Sequence, residues 1–192
     1  MTALAPVLAV WLAALLAAGA PDEADRIRRG DRRAFRRFFD ATHGDLLRAL
    51  ARRGLDPATA DDLAQQAYVW IWEHRDRIDP ARSLRGLLFR IGLTRGLNAV
   101  RDAARTGPLL DAELRAAEPG DPAALADLRL ALAQAVAELP ERRRQTFTLC
   151  FFDGLTHREA ADVMGVSPKT VEHQMGHALK AVRERLGRFL GP

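Results

Sequence analysis

Residues 156–186 read THREAADVMGVSPKTVEHQMGHALKAVRERL, and this stretch decides the fold. Thr156, followed three positions later by Glu159, can satisfy the exposed N–H groups of a helix start reciprocally, as a capping box. Ala160, Ala161, Val163 and Met164 then form a short helix, with small residues where another helix must come close. Gly165-Val166-Ser167 supplies a tight turn. Ser167 is an N-cap residue type, and Pro168 stands at the first helical position, where its missing N–H costs nothing. A last helix is predicted from Lys169 to Leu186, with Val171, Met175, Ala178, Leu179 and Val182 as its inward stripe. A short helix, a glycine turn and a capped second helix in this order make a helix-turn-helix.

The other face of the last helix carries the chemistry. Ser167, Lys169, Thr170, Glu172, His173, His177 and Lys180 lie in or near its first turns and point away from the stripe. In a helix-turn-helix this end of the second helix meets base edges in the major groove. Arg183 and Arg185 follow, placed either to meet phosphates or to complement the helix C-terminus. His173 and His177 are four positions apart but lack a third ligand nearby, so no metal site is read from them.

Working upstream, a helix over Ala123 to Glu138 is predicted from Leu128, Leu132, Val136 and Leu139. Pro140 opens a second helix, exposing Arg142, Arg143 and Arg144 and turning Phe147, Leu149 and Phe151 inward; Asp153-Gly154 ends it. Before this module, residues 106–122 carry Gly107, Pro108, Pro119, Gly120 and Pro122 with several acids, the composition of a linker. Residues 22–105 are charged and helix-patterned. Phe35, Phe38, Phe39, Leu46, Leu47 and Leu50 mark an amphipathic helical pair. Asp56-Pro57 opens a helix through Trp72, and after a loop around Asp79 to Ser83 another includes Leu84, Leu88, Ile91, Leu97 and Val100.

The 192-residue chain holds 29 basic against 25 acidic side chains, a net charge of +4, with arginine supplying almost all the positive side. That balance fits a polyanionic partner. No run alternates apolar and polar residues as a half-buried strand would. The expected fold is therefore all-α: two small helical domains joined by a flexible linker, at 22–105 and 123–190. The lone cysteine, Cys150, precludes an internal disulfide and sits in an apolar run as a buried thiol in a reducing cytoplasm. No phosphate-cradling glycine loop or nucleophile–base pair is evident, and neither a catalytic residue nor a cofactor is expected. Residues 1–21 form an apolar extension, read as an upstream start or as a helix packed on the body. Membrane contact through residues 2–20 is the lesser reading, since no positive n-region precedes them.

The order of motifs resembles a bacterial RNA polymerase sigma factor of the extracytoplasmic-function group. Ala60 through Tyr68, with Trp72 at its aromatic place, is similar to the polymerase-clamp-binding helix of family region 2. Leu84 through Ile91 resembles the start of the helix that engages the minus-ten element. Leu139 through Arg142, continuing to Thr156, resembles the opening of region 4, which reads the minus-thirty-five element. Ser167 through Glu172 is worded most like the iron-uptake-type branch.

The resemblance implies Asp61, Asp62, Gln65 and Gln66 as polymerase contacts and Arg82, Arg85, Arg90, Thr94, Asn98 and Arg101 as minus-ten contacts. It implies the helix-turn-helix face as the minus-thirty-five reader. The implied partners are core RNA polymerase, promoter DNA and an anti-sigma factor. Thr94 and Asn98 depart from the asparagine and aspartate usual in the melting helix, and the basic run after it is thinned to Arg101 and Arg105. A stand-alone helix-turn-helix regulator is the competing reading, and it leaves Asp61 to Arg105 without a role. A membrane-tethered interaction protein rests on residues 2–20 alone.

Overall fold

In a computed structural model the chain is described over residues 21–104 and 122–187. Residues 2–20 and the linker from 106 to 121 lie outside the described residues, as does Arg105. No strand occurs among the described residues. The helices, in chain order, are α1 (Pro21–Arg28), α2 (Arg32–Ala51), α3 (Pro57–Glu73), α4 (Leu84–Ala104), α5 (Pro122–Ala137), α6 (Glu141–Phe147), α7 (His157–Met164) and α8 (Pro168–Arg185).

Short polar side chains start the N-terminal helices. Asp31 caps α2 by accepting from the Arg33 and Ala34 amides at 2.8 and 3.1 Å. Those bonds, with Arg26 alongside, hold its carboxyl down at about 2. Asp56 does the same for α3, accepting from the Ala58 and Thr59 amides ahead of Pro57. Helices α2, α3 and α4 then bury one stripe each around Phe38, Leu46, Leu50, Ala64, Tyr68, Ile71, Leu88 and Phe89. A buried hydroxyl pair sits in this core: Thr42 Oγ1 donates to the Phe38 carbonyl at 2.6 Å and lies 2.8 Å from the Tyr68 hydroxyl. Burial pushes the Tyr68 phenol up to about 12. Trp72 is half-buried at the edge of this core, its ring centroid 5.0 Å from that of Phe35, with the Arg75 guanidinium over its ring.

The buried cluster continues through α5 to α8 by way of Val136, Leu139, Phe147, Leu149, Leu155, Val171, Met175, Ala178 and Val182. The single helix expected after Pro140 divides: α6 ends at Phe147, and Thr148–Phe152 widen into a π turn. Cys150 lies in that turn, 2% exposed, its thiol pushed up to about 12 by burial, with Asp153 and Glu159 adding to the shift. Leu179, predicted to face inward, is 44% exposed, because Val171, Met175, Ala178 and Val182 already complete the buried stripe.

The two modules touch. Helix α7 lies across the N-terminal half of α4, so closely that a Cβ added at Gly86 would stand 3.3 Å from the Glu159 Cα. No helix among the described residues is long and apolar enough to cross a membrane.

Candidate nucleic-acid and polymerase interface

The helix-turn-helix has its predicted local geometry. The Glu159 amide donates to Thr156 Oγ1 at 3.2 Å and the Thr156 amide donates back to Glu159 Oε2 at 2.9 Å, closing the capping box at the start of α7. Gly165 ends α7 at φ +67°, a left-handed backbone that a side chain would strain. Ser167 then caps α8, accepting from the Thr170 amide at 3.1 Å, with the two hydroxyls 2.8 Å apart. Lys169, Thr170, Glu172, His173, His177 and Lys180 are all exposed on α8. His173 and His177 meet edge to face, their Nε2 atoms 3.2 Å apart. Arg185 is paired with Glu138, which places it with the module's own structure. This end of α8 therefore offers donors, acceptors and two lysines on one unobstructed face, the chemistry a major groove reads.

A second face runs along α4. Arg90, Thr94, Asn98 and Arg101 are exposed at helical spacing, with Leu97 among them at 44% exposure. Their stripe borders a cleft of about 270 Å³ lined by Trp70, His74, Asp79, Arg82, Ser83 and Asp162, among others. Trp70 stacks on His74 with ring centroids 4.3 Å apart, so its indole face is already taken by that ring. The i,i+4 spacing of Trp70 on α3 and His74 at its C-cap was a readable signal for the stack.

Arg82 and Arg85 are placed differently from the rest of their group. Arg82 is exposed and faces Asp162 at 3.5 Å. Arg85 is only 13% exposed; it holds Asp45 at 2.9 Å, Glu159 at 3.3 Å and the Gly154 carbonyl at 2.9 Å. A guanidinium so engaged is not presented to a ligand in this arrangement.

A third cluster occupies the outer side of α3. Asp62, Gln65 and Gln66 share a shallow depression with Val69, Trp70, Glu73 and Arg95. Gln66 accepts from Arg95 at 2.8 Å. Asp61 accepts from Gln65 at 2.5 Å and faces His43 at 3.6 Å. Asp62 and the neighbouring Val69, 54% exposed, give this side an acidic, partly apolar surface. That combination suits a basic partner helix with apolar shoulders.

Sequence reading did not anticipate the residues that join the modules. Arg52 and Arg53 converge on Asp153 from about a hundred positions away, and Ser83 donates to Glu159 at 2.9 Å. No local signal could have paired them.

Two family models match the chain, "Sigma-70 region 2" over residues 38–106 and "Sigma-70, region 4" over residues 129–182. The RNA polymerase sigma factor CnrH of Cupriavidus metallidurans is 35% identical over 180 residues, spanning 82% of this chain and 92% of that one. The ECF RNA polymerase sigma factor SigK of Mycolicibacterium vanbaalenii is 26% identical, spanning 84% of this chain and 86% of its own length. Among solved structures, CnrH in complex with the cytosolic domain of CnrY matches with a TM-score of 0.58 at 29% identity. That match covers 88% of this chain and 97% of the solved one.

Proposed function

The chain belongs to the sigma-70 family, within its extracytoplasmic-function group, and we propose that its two modules divide the work of placing RNA polymerase on a promoter. Directing core polymerase to promoter DNA is the function of the whole chain; the residues that carry it are our assignment. The α8 face of Ser167, Lys169, Thr170, Glu172, His173, His177 and Lys180 reads the minus-thirty-five duplex. The α4 stripe of Arg90, Thr94, Asn98 and Arg101, joined by Arg82 and Arg85, follows the minus-ten strand. Asp61, Asp62, Gln65 and Gln66 hold the polymerase clamp through charge-assisted bonds. The chemistry of RNA synthesis stays with the polymerase.

The observation that carries this reading is the pairing of a fully capped helix-turn-helix with a separate acidic α3 face, in the order of regions 2 and 4. An anti-sigma factor is a further partner, supported by the likeness to CnrH, which was solved with a bound domain of CnrY. Placement in the iron-uptake-type branch rests on the wording of residues 167–172 alone. The 22–105 and 123–190 modules act as the two units, with 106–122 as the connection.

The test is direct. Purified chain added to core polymerase starts transcription from a promoter of its own, and neither component does so alone. A chain that binds DNA tightly without polymerase and never supports initiation refutes the assignment.

A further inference from the structure

We infer that Gly176 is where promoter DNA comes closest to the protein: the bare backbone there admits the sugar–phosphate wall of the minus-thirty-five groove against α8. The inference rests on the reading of α8 as a promoter reader and adds to it a residue which that reading leaves out.

Glycine is the least favourable residue in a helix interior after proline, so a mid-helix glycine calls for a cause. The usual causes are a left-handed backbone, a neighbour too close for a side chain, or the close approach of a ligand. Gly176 is the ninth residue of α8 and is not among the glycines with positive φ. Nothing lies within 4 Å of a Cβ added to it. Elsewhere packing accounts for helical glycines: at Gly92 or Gly96 of α4 an added Cβ would stand 2.9 Å from a methyl of Leu46 or Leu50. Gly44 of α2 shares the freedom of Gly176, since its Cβ would meet only the tip of the Arg48 side chain, at 3.4 Å. What separates these two is their surroundings.

Gly176 is exposed in the middle of the face assigned to DNA. At about 3.6 residues per turn, Lys169, Lys180 and Arg183 lie within about 40° of it around the helix axis. All three are exposed, and none makes an ion pair among the described residues. Glu172 shares this strip one turn earlier and, as an acceptor, suits a cytosine edge rather than a phosphate. His173 and His177 stand to one side, about 60° and 100° away. Their Nε2 atoms, 3.2 Å apart, hold the two rings together there. The result is a notch: bare backbone in line with Lys169, Lys180 and Arg183, bordered by two imidazoles.

Dimensions place a phosphate wall at this point. A major groove is about 8.5 Å deep and a helix rises about 1.5 Å per residue. A helix entering end-on therefore passes the lip after roughly six residues, and after roughly eight when tilted by about 45°. The ninth residue of α8 is at that lip, where the sugar–phosphate backbone stands, and Lys180 and Arg183 follow one and two turns further on. A helix without a side chain here lets the phosphates come nearer to those cations. Each such contact releases counterions and strengthens binding at low salt.

A graded series tests this in the full chain bound to core polymerase, on a promoter fragment that the wild-type holoenzyme transcribes. Because the space is open, Gly176→Ala and Gly176→Leu should each raise the melting temperature of the free chain by about 2–4 °C, through helix propensity alone. Promoter affinity should nonetheless fall, by about threefold for alanine and at least about tenfold for leucine. The slope of log affinity against log salt should flatten by about one for Gly176→Leu, as a phosphate contact is lost. Gly44→Ala is the control, with the same rise in melting temperature and unchanged promoter affinity.

Wild-type promoter affinity in Gly176→Leu overturns the inference. So does a loss that leaves the salt slope unchanged, which puts the collision at base edges. An equal loss in Gly44→Ala also overturns it, tracing the effect to helix stiffness. A wild-type holoenzyme that recognises no promoter sinks the sigma reading and this inference with it; every other failure leaves the sigma reading standing.

Discussion

Ser167 serves two masters, and two substitutions separate them. Its hydroxyl caps α8, accepting from the Thr170 amide at 3.1 Å, and its position places it at the end of α8 assigned to DNA. Ser167→Ala removes the cap. Because Pro168 contributes no N–H and the Thr170 and Val171 amides keep their bonds to the Ser167 carbonyl, the loss is confined to the Thr170 amide bond and the exposed contact with the Thr170 hydroxyl. The cost is about 1 kcal/mol. If the packed modules melt as one unit, that lowers the melting temperature by about 2–4 °C; a C-terminal module melting alone would fall by about 4–8 °C. Ser167→Asp should keep the cap and the melting temperature, since aspartate caps as well as serine and favours a helix N-terminus.

The same Ser167→Asp change places a carboxylate beside the DNA backbone. At about 6 Å from one phosphate, with an effective dielectric constant of about 40, repulsion is about 1.4 kcal/mol, or tenfold in promoter affinity. The assays are calorimetric melting of the free chain and promoter binding by holoenzyme at low and moderate salt. The loss for Ser167→Asp should shrink as salt rises. An unchanged melting temperature for Ser167→Ala refutes the capping argument. Wild-type promoter affinity for Ser167→Asp at low salt refutes the placement of this helix end against DNA.

Three further outcomes are expected. Asp62→Arg should weaken core polymerase binding by at least about tenfold, the loss of one charge-assisted contact, while leaving the melting temperature of this exposed site within about 1 °C; retained affinity in a pull-down with core removes Asp62 from the clamp contact. In the hydroxyl pair, Thr42 donates to the Phe38 carbonyl, so the Tyr68 hydroxyl is the donor between them. Thr42→Val therefore strands a buried donor and should cost about 1–3 kcal/mol, Tyr68→Phe about 1, and the double variant less than the sum in chemical denaturation. Additive costs would show that the two hydroxyls do not interact. Cys150, with its thiol near 12, is thiolate in only about one molecule in ten thousand at pH 8, so native protein should resist iodoacetamide until unfolded. Rapid labelling of the native chain would place this thiol in solvent.

Much of the architecture was written in local sequence. The capping box at Thr156, the turn at Gly165 and the Ser167-Pro168 start of α8 each depend on neighbours within four residues. Backbone amides left open at a helix start can be met by side chains that near, so composition and spacing sufficed. The exposed α8 residues followed from which side of a helix the apolar stripe leaves to solvent, whereas the Asp61–Gln66 cluster came from the family resemblance of Ala60 to Tyr68. Where several stripes compete, spacing alone fails: Leu179 and Trp72 fit helical periodicity, yet each lies at the border of a core that other side chains fill.

The meeting of the modules had no such local signature. Arg85 reads as a surface arginine suited to phosphate, and Asp153 as a polar residue at a helix end. Only the folded chain brings Arg52, Arg53 and Asp153 together across about a hundred residues and encloses Glu159 against Arg85. A charge on an isolated helix is free in water. Its partner, and therefore whether it is offered to DNA or held by another helix, is fixed by packing of the whole molecule.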